Sequence, residues 1–327
     1  MKKAVVTGAG GFIGGALTEL ILSKGITVYG VDISEKVLER HANKENFIPV
    51  IADFTKYSEL HEMIKDDIDV FYHFAWQGVF GEPFKDYRLQ LSNAASAGDA
   101  ISEAVRMGCH KFVLAGTMNE YEMDEYIKAD CFEPRYTYIY SVAKQAAEAV
   151  CKTVACNRKI EFNCGRIAMA YGENNRSMMI PNVVMKNLLT NTPCKLIEGK
   201  NLYDMIYIDD IVRAFYAIGE SGVNMKSYYV GHRKIGTFRE IIEQIAEILN
   251  PSCPLLFGEY PDSPSGVDYK NIDTEALYRD TGFECKSDFK ESIMKTANWL
   301  KSAYPAKSSG GGYSYRVIMS AARKAAA

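Results

Sequence analysis

Lys3-Ala4-Val5-Val6-Thr7-Gly8-Ala9-Gly10-Gly11-Phe12-Ile13-Gly14 places a short apolar run directly before a glycine-rich turn. Phe12, Ile13, Ala16, Leu17, Leu20 and Ile21 then recur at helical spacing. The stretch reads strand, tight turn, helix. Glycines permit the turn and let backbone N–H groups approach a pyrophosphate, which the helix N-terminus then faces. A second β-like run, 27–31, ends at Asp32, 18 residues after Gly14. A carboxylate there accepts hydrogen bonds from an adenosine ribose and repels a 2′-phosphate. A glycine turn alone asks only for positive φ; followed by this acid, it predicts a dinucleotide site that prefers NAD to NADP.

Outward from that unit, 48–51, 70–74 and 111–115 are near-continuous apolar runs of the kind needed by a sheet covered on both faces. A helical pattern over 91–107 separates the last two. Alternating β and α segments predict an α/β fold, a Rossmann-like doubly wound parallel sheet. Prolines at 181, 193, 251, 254, 261 and 264 cut the second half into short pieces, with 238–249 helical, which predicts a smaller interleaved C-terminal substrate-binding lobe. The expected division is an NAD-binding domain over 1–165, with 203–222 returning to it, and a lobe from 166–202 and 223–303. Ser308-Ser309-Gly310-Gly311-Gly312 marks 304–327 as a flexible tail.

The 327 residues are 47% hydrophobic and 24% charged, ordinary for a globular chain of about two domains. With 38 Lys and Arg against 41 Asp and Glu, a net charge of −3 gives no pull toward nucleic acid or anionic lipid, so neither is expected as a partner. The 21 tyrosines lack the basic stripe of a nucleic-acid platform. Eight cysteines show no CxxC pair and no matched His spacing, so no metal site is expected and the thiols read as buried or idle. The sequence has neither a signal-peptide pattern nor an 18-residue apolar run, which makes a reducing cytoplasm the expected compartment and a membrane no partner.

The spacing Gly8-x-x-Gly11-x-x-Gly14 resembles the extended short-chain dehydrogenase/reductase superfamily, in its NAD-dependent epimerase/dehydratase branch. Ala52-Asp53-Phe54, Asp69-Val70-Phe71-Tyr72-His73-Phe74-Ala75, Gly165-Arg166 through Tyr171-Gly172, Asp204 through Asp210, and Tyr229-Val230-Gly231 follow as family landmarks in order, covering roughly residues 3 to 300. The resemblance implies NAD contacts from Gly8, Gly11, Phe12, Ile13, Gly14, Asp32, Ile33, Asp53, Phe54, Phe74 and Ala75, with Asp53 meeting the adenine. His73, inside an apolar run, reads as a packed histidine near the cofactor.

Tyr140 and Lys144, in Tyr-Ser-Val-Ala-Lys on an apparent helix, are spaced to share one face. An ammonium and a positive nicotinamide both favour phenolate. The resemblance makes Tyr140 the proton-transfer residue, Lys144 the residue that orients the nicotinamide ribose and tunes the phenol, and Thr117 the hydroxyl that holds the substrate oxygen; Tyr140 and Lys144 thereby also touch the cofactor. Trp76, Gln77, Asn119 and Tyr203 are candidate substrate residues, Trp76 and Gln77 lying just past a strand end, where pocket wall and core packing are both open.

The family's dehydratases carry Asp-Glu directly after the threonine; here stand Met118 and Asn119, and Glu120 comes one place late, which on a strand end points it to the opposite face. Met169 and Tyr203 replace an Asn and an Arg common on the substrate side, leaving Arg176, Lys186, Lys200, Arg213 or Arg233 to supply charge. The first expectation is a nucleotide-sugar epimerase in polysaccharide biosynthesis, transferring hydride reversibly at a secondary alcohol. A second is an NAD(P)H-dependent reductase of a 4-keto-6-deoxysugar nucleotide, and a third a non-catalytic dinucleotide-binding sensor or scaffold. The resemblance also implies a homodimer joined by helices near 91–107 and 139–156, with Ala143, Ala146, Ala147 and Ala149 permitting close approach there or packing on the sheet.

Overall fold

A computed structural model describes residues 1–128, 135, 137–261 and 267–304; Cys131, Pro264 and the expected tail beyond 304 lie outside the described residues. Seven parallel strands form the central sheet: β1 (Lys3–Thr7), β2 (Thr27–Asp32), β3 (Phe47–Ile51), β4 (Val70–His73), β5 (Lys111–Thr117), β6 (Glu161–Ile167) and β7 (Lys226–Val230). Their spatial order is β7-β6-β5-β4-β1-β2-β3. The order reverses between β1 and β4, and a crevice at the carboxyl ends of these strands is where open α/β sheets take ligands. In register, Thr7 faces Val31 of β2 and His73 of β4, while Thr117 faces Ile167 of β6.

The helices used below are α1 (Phe12–Ser23), α2 (Tyr87–Arg106), α3 (Asn119–Lys128), α4 (Thr137–Arg158), α5 (Ile180–Leu189), α6 (Ile208–Ser221), α7 (Phe238–Leu249) and α8 (Phe289–Ala303). One face of the sheet packs on α1 and α6, the other on α2 and α4. Phe71, Phe112 and Phe162 stack in a row across β4, β5 and β6, centroids 5.2 and 6.5 Å apart, so the second face is aromatic at its centre. Ala143 and Ala147 are fully buried and pack inside the subunit, whereas Ala149 is exposed.

Two expectations change. The run at 48–51 is not covered on both faces: β3 is an edge strand, with Ile48 and Ile51 exposed, and Pro49 is tolerated because an edge has an unpaired side. The return to the sheet also extends past 222, since β7 pairs with β6 from Lys226 to Val230. The remaining lobe is interleaved through short pairings: Met169–Tyr171 with Met205–Tyr207, Leu202–Tyr203 with Gly236–Thr237, and Cys194–Lys195 with Leu255–Leu256. Among the described residues, no helix is long and apolar enough to cross a membrane.

Candidate active site

The glycine turn closes backbone on backbone. Gly8 has φ +70°, and a Cβ on it would meet Ala75 N at 3.0 Å; a Cβ on Gly14 would lie 2.3 Å from the Gly8 carbonyl oxygen. Helix α1 begins behind Gly11 with no side-chain cap and no acid in its first turn, leaving its N-terminal N–H groups and dipole to an anion. Asp32 accepts from the Gly10 N–H at 2.9 Å and from the Ile33 N–H at 2.8 Å. It thus pins the turn while, with about four acceptor positions on a carboxylate, keeping room for a ribose. This bare cradle and its acid fit a dinucleotide.

Thr7 joins the turn to β4. Its Oγ1 is 2.9 Å from His73 Nδ1 and accepts the Phe74 and Ala75 N–H groups at 3.2 Å each. His73 is buried, and burial first and Lys144 second push its pKa down to about 3, so it stays neutral, a packing residue as read from sequence. Asp53 caps the short helix Phe54–Glu59 by accepting from Thr55 N–H at 2.9 Å, and takes a long contact of 3.4 Å from Gln77 Nε2. Phe12, Ile13, Phe54, Phe74 and Ala75 are half-buried around this crevice, whereas Ile33 is 58% exposed beyond Asp32.

Beside the cradle, Lys144 rises from α4 between two partners. Its Nζ donates to the Ala115 carbonyl at 2.9 Å and sits 3.8 Å from the centre of the Trp76 ring. Burial lowers its pKa to about 8, opposed by Glu120 and Cys164. Tyr140, one turn earlier, stacks on Phe84 at 4.8 Å and meets the edge of Trp76 at 5.9 Å. Its hydroxyl is within hydrogen-bonding reach of the Thr117 side chain. In the protein alone, burial and then the Glu120 carboxylate push the phenol above its ordinary value, and Thr117 pulls the other way. Lys144 Nζ lies 5.8 Å from the Tyr140 ring centre, near enough to share the site but turned toward Trp76 and Ala115.

Sequence reasoning left Trp76 and Gln77 open between pocket wall and core packing, without showing what holds them. Buried Gln90 accepts from Trp76 Nε1 at 2.7 Å and donates to the Gly78 and Pro83 carbonyls at 2.8 and 3.0 Å; buried Asn93 accepts from Gln77 N–H at 2.7 Å. Two amides on α2 therefore carry the flap that brings Trp76 and Phe84 over Tyr140. Buried amides on a helix otherwise full of alanine are the signal that marks such a support.

Glu120 corrects an expectation. It lies on helix α3, not on a strand, and helical geometry turns it inward, where its Oε1 accepts the Thr117 N–H at 2.7 Å. Asn119 is half-buried, its N–H 3.4 Å from Thr117 Oγ1. Tyr203 packs its ring on Phe238 at 5.2 Å in the lobe. Of the cations considered for the substrate side, Arg213 is engaged by Asp210, Arg233 by Glu275 at 3.6 Å, and Lys186 lies 3.5 Å over the Tyr304 ring. Lys200 and Arg176 are exposed.

The model of the NAD dependent epimerase/dehydratase family matches residues 4–231. The chain belongs to that family. This family member is 24% identical to the UDP-glucuronate 4-epimerase of Thermodesulfobacterium geofontis, over 92% of this chain and 97% of that one. It is 25% identical to a dTDP-4-dehydro-6-deoxyglucose reductase of Escherichia coli, over 77% of this chain and 84% of the relative. Its fold matches the UDP-glucuronic acid 4-epimerase of Bacillus cereus, solved in complex with NAD, with a TM-score of 0.74 at 20% identity, covering 92% of this chain and 99% of the other. The Rossmann-like reading of the fold holds, and family membership makes the chain an NAD-dependent enzyme of the extended short-chain dehydrogenase/reductase type. A non-catalytic sensor is thereby set aside.

Proposed function

We propose that the protein is an NAD-dependent nucleotide-sugar epimerase that oxidises and re-reduces a secondary alcohol of the sugar, with Tyr140 transferring the hydroxyl proton. The observation that carries this reading is the convergence of Thr117, Tyr140 and Lys144 beside the glycine cradle, at the carboxyl ends of β4 and β5. NAD, when bound, supplies the hydride acceptor and donor.

The protein's own part is to hold one oxygen and move one proton. Thr117 and Tyr140 hold their hydroxyls within hydrogen-bonding reach of each other, so a sugar hydroxyl brought to the pair meets a donor and a base together. Trp76 and Phe84 close over the phenol and keep bulk water off it. Burial alone makes phenolate unfavourable here, so the base form depends on positive charge brought close: Lys144 from below and the oxidised cofactor from the cradle side. Asp32 favours NAD over NADP, Gly8, Gly11 and Gly14 receive the pyrophosphate, and Trp76, Gln77, Asn119 and Tyr203 face the sugar nucleotide.

The outer faces of α2 and α4 present Leu91, Val142 and Val150, each more than 40% exposed, a surface suited to a homodimer. The seven described cysteines are all free thiols, as a reducing cytoplasm maintains.

Denaturing the purified protein should release about one NAD per chain, since an epimerase regenerates its cofactor in place. Tyr140→Phe should keep fold and bound NAD while turnover of the active nucleotide sugar, found by screening UDP-, dTDP-, CDP- and GDP-sugars with products resolved by NMR, falls by ~10²–10⁴-fold. Undiminished turnover removes Tyr140 from its role. Stoichiometric NADH or NADPH consumption with a 4-keto-6-deoxysugar nucleotide replaces the epimerase by the reductase, a reading that the Escherichia coli relative keeps in view.

A further inference from the structure

Glu120 is fully buried beneath the strand end that carries Thr117, where an ionised carboxylate needs compensation. Its Oε1 accepts the Thr117 N–H at 2.7 Å. Its Oε2 lies 3.3 Å from Arg166 Nε, yet among the described residues no donor is aimed at that oxygen. The guanidinium is turned to other carboxylates: Nε donates to Glu148 Oε2 at 3.1 Å, and Nη1 reaches Asp124 at 3.5 Å. Glu148 is further satisfied by Ser227, whose Oγ donates to Oε1 at 2.5 Å. One carboxyl oxygen of Glu120, one of Glu148 and the Cys164 Sγ all lie within 4.8 Å of one another. Two buried carboxylates therefore face one guanidinium, and two like charges this close do not both ionise. The oxygen without an incoming donor marks the one that keeps its hydrogen.

We infer that Glu120 is a protonated positioning residue, its Oε2 hydrogen donated to the Glu148 carboxylate while its Oε1 fixes the backbone of Thr117. The other titratable groups facing it are Tyr121 on α3, Tyr140 and Lys144 on α4, and Cys164 and Arg166 on β6, with Asp124 beyond Arg166 and Ser227 beyond Glu148. Burial and the Glu148 charge push Glu120 far up from the ordinary carboxyl range, against Arg166. Glu148 goes down: burial opposes this, but Arg166 and Ser227 outweigh it. Holding the proton removes the carboxylate charge that otherwise makes Tyr140 harder to ionise. That last consequence rests on the proton-transfer reading of Tyr140; the proton itself does not, and its test needs neither substrate nor cofactor.

Difference infrared spectra of the full chain, titrated from pH 5 to 9 (roughly the range over which carboxyls raised by burial titrate), should show the C=O stretch of a buried protonated carboxyl. The band should vanish with a midpoint at about 8 and be missing from Glu120→Gln. Glu120→Gln keeps both hydrogen bonds without a charge, so at the acid end its melting temperature should match the wild type, while Glu120→Ala falls below both. Because the folded pKa of Glu120 is raised, its favourable contribution is complete below about 4.5 and is lost as pH rises through about 8, so the wild type should lose ground to Glu120→Gln over that window. A missing band, a midpoint near 4.5, or Glu120→Gln melting as low as Glu120→Ala at the acid end overturns the proposal.

Discussion

The cradle around β1 and α1 and the attachment of the lobe built from 168–202 and 231–304 are held by different means. In the cradle, backbone meets backbone: Gly11 N–H bonds to the Gly8 carbonyl at 2.9 Å, Gly8 N–H to Val31 at 2.9 Å, and no side chain fits between. Where the lobe meets the rest of the chain, buried carboxylates of 203–222 reach across long stretches of sequence. Asp204 accepts from Tyr229 Oη at 2.6 Å and from His232 N–H at 2.8 Å, and contacts His232 Nδ1 at 2.8 Å. Asp210 accepts from Lys286 and Ser287 N–H groups at 2.8 and 3.2 Å, tying α6 to the start of α8. The cradle is specified by what is absent from a few positions, the lobe by which charged groups find each other.

The comparison breaks most visibly at Asp204. It is 3% exposed, so Asp204→Ala leaves a phenol, an amide and an imidazole without their acceptor in the interior. We expect a loss of about 3–5 kcal/mol in urea unfolding. A loss below about 1 kcal/mol, the range of an exposed pair, means that the lobe is held by its apolar core instead. Gly14→Ala tests the other side: its methyl would lie 2.3 Å from a carbonyl oxygen with no flexible side chain to give way. About 1–3 kcal/mol of stability should go, as in other overpacked sites, and the purified variant should emerge without NAD. Full retention of NAD shows that the turn can open and that its tightness is not what forms the site.

The same contrast explains what the sequence made legible. Five of the seven sheet strands were readable because each is a near-continuous apolar run, and α1 was readable because its stripe begins at the glycines; β6, Glu-Phe-Asn-Cys-Gly-Arg-Ile, was not, because polar residues interrupt its apolar ones. β7, Lys-Ser-Tyr-Tyr-Val, was read into the lobe because its first two residues are polar and only half-buried. α2 starts at Tyr87, earlier than its apolar periodicity, because Asp86 caps it by accepting from Arg88 and Leu89 N–H groups. The proposed roles of Tyr140 and Lys144 came from their spacing, which within one helix fixes a face, and from resemblance, that of Thr117 from resemblance and its place at the end of β5. Gln90, Asn93 and Glu120 were beyond reach: each acts through a partner on another element, and local pattern carries no record of that partner. The inward turn of Glu120 depended on whether the chain had already left β5 for a helix at Asn119, a boundary one residue wide.

His232 gives the finest measure of how far the lobe depends on charge. Burial lowers its pKa, but the Asp204 hydrogen bond and the charges of Asp204 and Asp210 outweigh this and leave it raised from 6.5. A raised histidine contributes stability that is complete below the unfolded value of about 6.5 and is lost as pH climbs through the folded value. The melting-temperature gap between the wild type and His232→Gln should therefore be widest on the acid side of 6.5 and shrink at higher pH. Its imidazole is 39% exposed, so solvent screening keeps the change small, a shift of a few degrees at most. A gap that stays constant with pH shows that the imidazole serves Asp204 without its charge, and the lobe's anchor is then a hydrogen-bond acceptor whose partner need carry no charge.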